Sequence, residues 1–205
     1  MAEITVLLER MEKRDPLAAE ELWNLVYPKL RAMAHRRLPY RKPGETFQPT
    51  ELVHELFLRL GGDQPPVFKN SRHFFGCAAR AMQRILVDRV RRIMAAKRNG
   101  GKKPESLDVL GDLDIPCPIL DDEVLLLLDE ALEKFRLIHP ERAQLVGLRF
   151  FLGMDYVEAA KLLEISVSTA KVWWRHSRAW LEAEMQTSLP PAGAAKAGSE
   201  GPPHS

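Results

Sequence analysis

Cysteine is nearly absent from this chain of 205 residues, which holds only Cys77 and Cys117. They lie far apart, and neither a paired C-x-x-C nor an H-E-x-x-H occurs, so no zinc site and no bound metal are expected. Long apolar runs are missing as well. The longest, Val124 to Leu128, is five residues, against the roughly 20 that a membrane-spanning helix needs. The opening run MAEITVLLERMEKRD mixes acids with short apolar stretches and does not read as a secretory signal. Together these predict a cytoplasmic protein with reduced thiols and no membrane partner. Clean period-2 alternation is absent too, which excludes a sheet-based fold.

Catalytic constellations are equally scarce. Gly101-Lys102 evokes a phosphate loop, but Ala96 stands where that pattern needs glycine and Lys103 where it needs Ser or Thr. His54-Glu55 could be half of an acid/base pair, yet on a leucine-rich helix a polar face is the simpler reading. Cys77 reads as a small apolar residue. An enzyme is therefore not expected, nor is a cofactor.

What the chain does have is charge sorted by segment. The net charge is only +2. From Lys69 to Lys103, however, eleven Lys or Arg accompany one acid, Asp88, and from Glu105 to Glu133 ten acids occur without a Lys or Arg. A basic module beside an acidic connector points to a polyanionic partner, usually nucleic acid.

Helical periodicity fills the rest. Ile4, Leu7, Leu8 and Met11 share one face of a first helix. Asp15-Pro16 starts a second, in which Pro28 predicts a kink or break. Residues 49–60 (PTELVHELFLRL) form an amphipathic helix with Leu52, Val53, Leu56, Phe57 and Leu60 inward, ended by Gly61-Gly62. A long helix runs from about Ser71 to Lys97, with Asp88 placed to bridge Arg84 or Arg91. Residues 99–120 read as a flexible acidic linker, residues 121–138 as another helix, and His139-Pro140 as a stop and restart. Residues 186–205, rich in Pro, Gly, Ala and Ser, read as a disordered tail. The fold class is all-α: two small helical domains, 1–98 and 121–185, joined by the linker.

The most specific stretch is Asp155 to Met185. Asp155 can cap a short helix, with Glu158 closing a capping box, and Ser166 can cap a longer one. This is helix-turn-helix grammar, whose second helix enters the major groove. Ala170, Trp174, Ser177 and Leu181 fall on one stripe of that helix; Ser168, Lys171, Arg175 and Arg178 fall opposite. Val172 borders the second face, where it could meet a thymine methyl. Trp173 and Trp180 lie on a flank placed to pack on helix 121–138. Glu164 occupies the turn, where a left-handed conformation would cost of order 1 kcal/mol.

The order of parts resembles the bacterial RNA polymerase sigma factors, specifically the extracytoplasmic-function (ECF) class. The resemblance rests on TELVHELFLRL, then FKNSRHFFGCAARAMQRILVDRVRR, then the C-terminal helix-turn-helix, and covers roughly residues 3–185. It is nearest to an ECF-like branch with regions 2 and 4 only, whose first domain ends in a Lys-Arg-Gly-Gly type run, here KRNGGKK.

The resemblance implies a factor that binds core RNA polymerase and directs promoter-specific initiation. Domain 1–98 would be region 2, and domain 121–185 region 4. Glu51, His54, Glu55 and Arg59 would dock on the β′ clamp helices, and region 4 on the β flap. Phe68, Lys69, Asn70, Arg72, His73, Phe74, Arg80, Arg84 and Arg91 would melt and hold the −10 strand. Ser166, Ser168, Thr169, Lys171, Val172, Arg175 and Arg178 would read the −35 element. An anti-sigma protein is a further partner that the resemblance admits. The alternative is an autonomous helix-turn-helix regulator whose N-terminal domain senses a ligand or dimerises, which would bind paired half-sites.

Overall fold

Local chemistry starts and stops each helix in a computed structural model of the chain, which describes residues 2–37, 48–62, 66–96 and 122–188. The elements are α1 (Ala2–Glu12), α2 (Ala18–Arg37), α3 (Pro49–Arg59), α4 (Ser71–Ala96), α5 (Asp122–Ile138) and α6 (Pro140–Val146). A single π-helical turn (Gly147–Phe151) follows, then α7 (Tyr156–Leu163) and α8 (Val167–Ser188). No strand occurs among the described residues. The linker 99–120, Cys117 and positions 189–205 of the expected tail lie outside the described residues.

Pro28 neither breaks nor ends α2, which runs through it to Arg37. An interior proline costs roughly 3 kcal/mol. Leu22, Val26, Leu30, Met33 and Ala34 are all buried along one face of that helix, and each large side chain so buried contributes about 1.5–3 kcal/mol. Packing therefore outweighs the lost hydrogen bond. At the other end of the chain, α8 continues three residues beyond Met185. The Thr187 and Ser188 hydroxyls donate to the Glu184 carbonyl at 2.7 and 3.2 Å, satisfying a group that the helix end leaves open.

Helix α4 is the shared wall of the fold. It packs on α1 and α3 on one side and on α5, the π turn and α7 on the other. The buried apolar cluster consequently runs without a break from Ile4 to Met185. Small residues allow the second contact: a Cβ on Gly147 would stand 3.3 Å from that of Ala79. Asp88 bridges neither Arg84 nor Arg91. It accepts from Arg59 Nη2 of α3 at 2.8 Å, while Arg91 turns to Asp129 of α5 at 3.6 Å. An exposed pair within one helix is worth only a few tenths of a kcal/mol, so a partner on a packed neighbour readily displaces it.

The helix-turn-helix is built as its sequence directs. Asp155 Oδ1 accepts from the Glu158 amide at 2.7 Å, and Glu158 Oε2 accepts from the Asp155 amide at 3.2 Å. Helix α7 ends at Glu164 with φ 58° and ψ 39°, in the left-handed conformation. Glycine adopts that conformation without the Cβ clash. Glu164→Gly is therefore expected to raise the unfolding free energy by about 0.5–1 kcal/mol. A higher urea midpoint at unchanged slope checks it, and a lower midpoint would assign Glu164 a stabilising contact. Trp180 packs on α5 as expected, its ring centroid 5.0 Å from that of Phe135, and Trp173 is half-buried against the same core.

Candidate nucleic-acid interface

Helix α8 separates its faces cleanly. Ala170, Trp174, Ser177 and Leu181 are buried, while Ser168, Lys171, Val172 and Arg175 are exposed. Ser166 caps the helix, accepting from the Thr169 amide at 3.0 Å, and its hydroxyl lies 2.8 Å from those of both Ser168 and Thr169. Three hydroxyls thus cluster at the helix N-terminus, where the free amides and the macrodipole favour anions. Arg178 differs from its neighbours. It is half-buried, and its Nε donates to Glu182 at 2.8 Å.

Behind this surface stand two residues that sequence reasoning missed. The Arg149 guanidinium, on the π turn and largely buried, lies 3.4 Å from the Tyr156 ring centroid and 4.9 Å from that of Trp174. Lys171 Nζ approaches the Tyr156 ring at 5.6 Å. Cationic and aromatic groups therefore alternate from the core of this half to the exposed face of α8. No local pattern announces Arg149, since only the fold brings positions 149, 156, 171 and 174 together.

The set expected to hold a single strand divides in two. Lys69, His73, Arg80, Arg84 and Arg91 are exposed and Arg72 is half-buried. The two phenylalanines are not available as stacking surfaces here. Phe68 is buried, and Phe74 is fully buried among Trp23, Phe68 and Phe75, with ring centroids at 6.2, 5.1 and 5.2 Å. Phe75 is likewise core. Asn70 serves as the α4 cap, accepting from the His73 amide at 2.8 Å, while His73 Nδ1 accepts from the Lys69 amide at 3.2 Å.

Three of the arginines of α4 face acids of the second half. Arg72 Nη2 lies 3.2 Å from Glu141, Arg80 lies 3.6 Å from Glu133, and Arg91 lies 3.6 Å from Asp129. Partial burial pushes the Arg80 guanidinium below its ordinary value, with Arg136 adding to this and Glu133 opposing it. Partial burial alone would raise Glu133. The Arg136 hydrogen bond and the charges of Arg136, Arg80 and Arg84 outweigh it and hold that carboxyl below the usual range.

On α3, Glu51 is committed to the helix start, accepting from the Gln48 amide at 3.0 Å. Glu55 and Asp88 both hold Arg59, and the Asp88 hydrogen bond chiefly raises that guanidinium's pKa. His54 is exposed and stacks on Phe57 at 6.4 Å. The face is therefore an ordered row of His54, Glu55 and Arg59.

Among the described residues no group of His, Cys, Asp or Glu is arranged to hold a metal, and no helix is long and apolar enough to cross a membrane. No curated protein matches the chain. A family model described as ECF sigma factor matches residues 1–187, which takes in every described helix except the last residue of α8. With an all-α fold and a helix-turn-helix whose second helix exposes a basic face, the chain belongs to the ECF sigma factor family.

Proposed function

We propose that this sigma factor joins core RNA polymerase and opens promoters through two separate DNA contacts. In this reading residues 1–98 form the region 2-like unit and residues 121–185 the region 4-like unit. Helix α8 reads the −35 element in the major groove. Lys69, His73 and the arginines of α4 hold the displaced −10 strand, whose phosphates need a cationic groove. The row His54, Glu55 and Arg59 of α3 meets the β′ clamp helices, and the second unit meets the β flap.

The observation that carries the reading is the two-faced α8. Lys171 and Arg175 are exposed on one side, and Ala170, Trp174, Ser177 and Leu181 anchor the other. A sensor or dimerisation domain is disfavoured by the basic α4. Such a domain needs an apolar pocket or an apolar self-complementary face.

The test is transcription from fragmented genomic DNA by core polymerase with and without the protein. Discrete protein-dependent starts are expected, with no footprint on duplex DNA by the protein alone. A footprint without any starts would favour the autonomous regulator instead. Within the same assay, His54→Ala with Glu55→Ala is expected to weaken core binding roughly tenfold, about 1.4 kcal/mol, at unchanged thermal unfolding. Unchanged affinity by titration would remove α3 from the interface.

A further inference from the structure

Three rings gather over Phe135, a fully buried side chain in the last turn of α5. Trp180 of α8 stands 5.0 Å from it, His139 5.2 Å and His176 of α8 6.2 Å, centroid to centroid. His139 and His176 also meet each other edge to face, at 5.2 Å with their planes 85° apart. His139 is anchored where α5 turns into α6. Its amide donates to the Phe135 carbonyl at 2.7 Å, and its carbonyl accepts from the Ala143 amide at 2.9 Å. The backbone at this corner is thereby fixed, and the ring can yield only through its side-chain torsions. His176 rises from the recognition helix to meet it and is exposed, so protons reach it freely.

The charges around this pair do not compensate a proton on it. Desolvation by the packed rings pushes the His176 imidazole below its ordinary value, and Arg142 of α6 and then His139 push it the same way. From α5, His176 meets the uncharged Phe135 ring. The charged groups of the packed elements are turned to one another or to α4. Glu133 pairs with Arg136 and Arg80, Glu141 with Arg72, Lys134 with Glu184, and Glu182 with Arg178. Among the described residues, no carboxylate is among the groups that shift His176.

We propose that His139 and His176 form a proton-sensitive contact that seats the recognition helix α8 on the corner between α5 and α6. While both rings are neutral, they pack edge to face over Phe135. A proton on either sets a cation beside Arg142. A second proton places two imidazolium groups and a guanidinium on one small surface, and α8 loosens there. Histidine is the side chain whose ordinary value lets this happen between about pH 5 and pH 8. The direction follows from linkage. A histidine that is harder to protonate in the folded chain than in the unfolded one leaves the unfolded state with more protons as the pH falls. The contribution of His176 is therefore complete above 6.5, its ordinary value, and is lost as the pH drops below it. The change is graded, because His176 is exposed and because Ala170, Trp174 and Leu181 still hold α8 to its core. It concerns the free chain and stands apart from the promoter reading.

The test is a proton NMR titration of the full chain from about pH 8 to about pH 5, with the signals of its six histidines assigned by single substitution. The His176 midpoint is expected below that of histidine in the urea-unfolded chain. His139→Gln and Arg142→Gln are each expected to move it upward. Thermal unfolding supplies the second reading. Between about pH 7.5 and about pH 5.5 the wild type is expected to lose about 2 °C more than the double variant His139→Gln, His176→Gln. A purely structural role would lower the unfolding temperature by the same amount at both pH values, so the difference between them is what counts. If the double variant does not fold, Arg142→Gln carries the test, with a loss about 1 °C smaller than that of the wild type. A His176 midpoint equal to that of the unfolded chain, with equal losses in wild type and variants, would overturn the proposal. So would a midpoint that neither His139→Gln nor Arg142→Gln moves, since this cluster would then not be its cause.

Discussion

Phe74→Ala is expected to lower the unfolding free energy by about 3–5 kcal/mol, the range for emptying a large aromatic site in a packed core. Phe74 has no exposed surface, and its ring meets those of Trp23, Phe68 and Phe75 edge-on. Edge-to-face pairs add to the burial term, and three of them converge on this one side chain. The four rings tie α2, α4 and the segment before α4 into one knot, so little can move in to fill the space. A fall in the urea midpoint at constant slope measures the effect. The competing role makes the opposite forecast. A base-stacking Phe74 would cost about 1–3 kcal/mol of strand affinity on truncation and little stability. Unchanged stability with weakened strand binding would return Phe74 to the DNA-binding set. The exposed Lys69 and His73 should behave in that second way.

The contrast between Phe74 and α8 shows where the sequence was legible. In α7 and α8 the buried stripe, the Ser166 cap and the Asp155–Glu158 box all follow from residues within a few positions of one another. Their causes are local sterics and local hydrogen bonding, which a sequence displays directly. In α4 the periodicity identified an apolar arc and a row of arginines but not what each would face. Phe74 and Phe75 are neighbours on a broad arc, and both turned inward, with Trp23 of α2 packing on the Phe74 ring. The ion pairs that the α4 arginines make with α5 and α6 join residues 38 to 69 positions apart in the chain, as Arg91–Asp129 and Arg72–Glu141 do. Segregated charge pointed to a polyanionic partner for this helix; only packing brought the acids of α5 and α6 to it. The π turn and Arg149 had no legible signal, because an extra residue within a helix leaves the apolar pattern nearly intact.

Lys171→Ala with Arg175→Ala is expected to weaken promoter binding by the polymerase complex about a hundredfold. Each charged contact to a base edge contributes about 1–3 kcal/mol, so two give about 2–6 kcal/mol, and a hundredfold fall, about 2.8 kcal/mol, lies in the lower half of that range. Both side chains are exposed on α8, away from its buried stripe, so the fold should not notice their loss. Surface changes of this kind stay within about 0.5 kcal/mol of stability. The salt dependence then tells what the two residues touch. Loss of two phosphate contacts lowers the slope of log K against log salt by about two. Loss of base contacts instead relaxes sequence preference upstream and leaves the slope nearly the same. Arg178→Ala is the internal contrast. Its guanidinium already pairs with Glu182 at 2.8 Å and is half-buried, so its removal should cost much less affinity. Anisotropy on promoter duplex at several salt concentrations, with thermal unfolding run in parallel, separates these outcomes. Should Arg178→Ala cost about a hundredfold while the double variant proves silent, the DNA face of α8 would lie about two turns further along the helix, around Arg178 and Glu182.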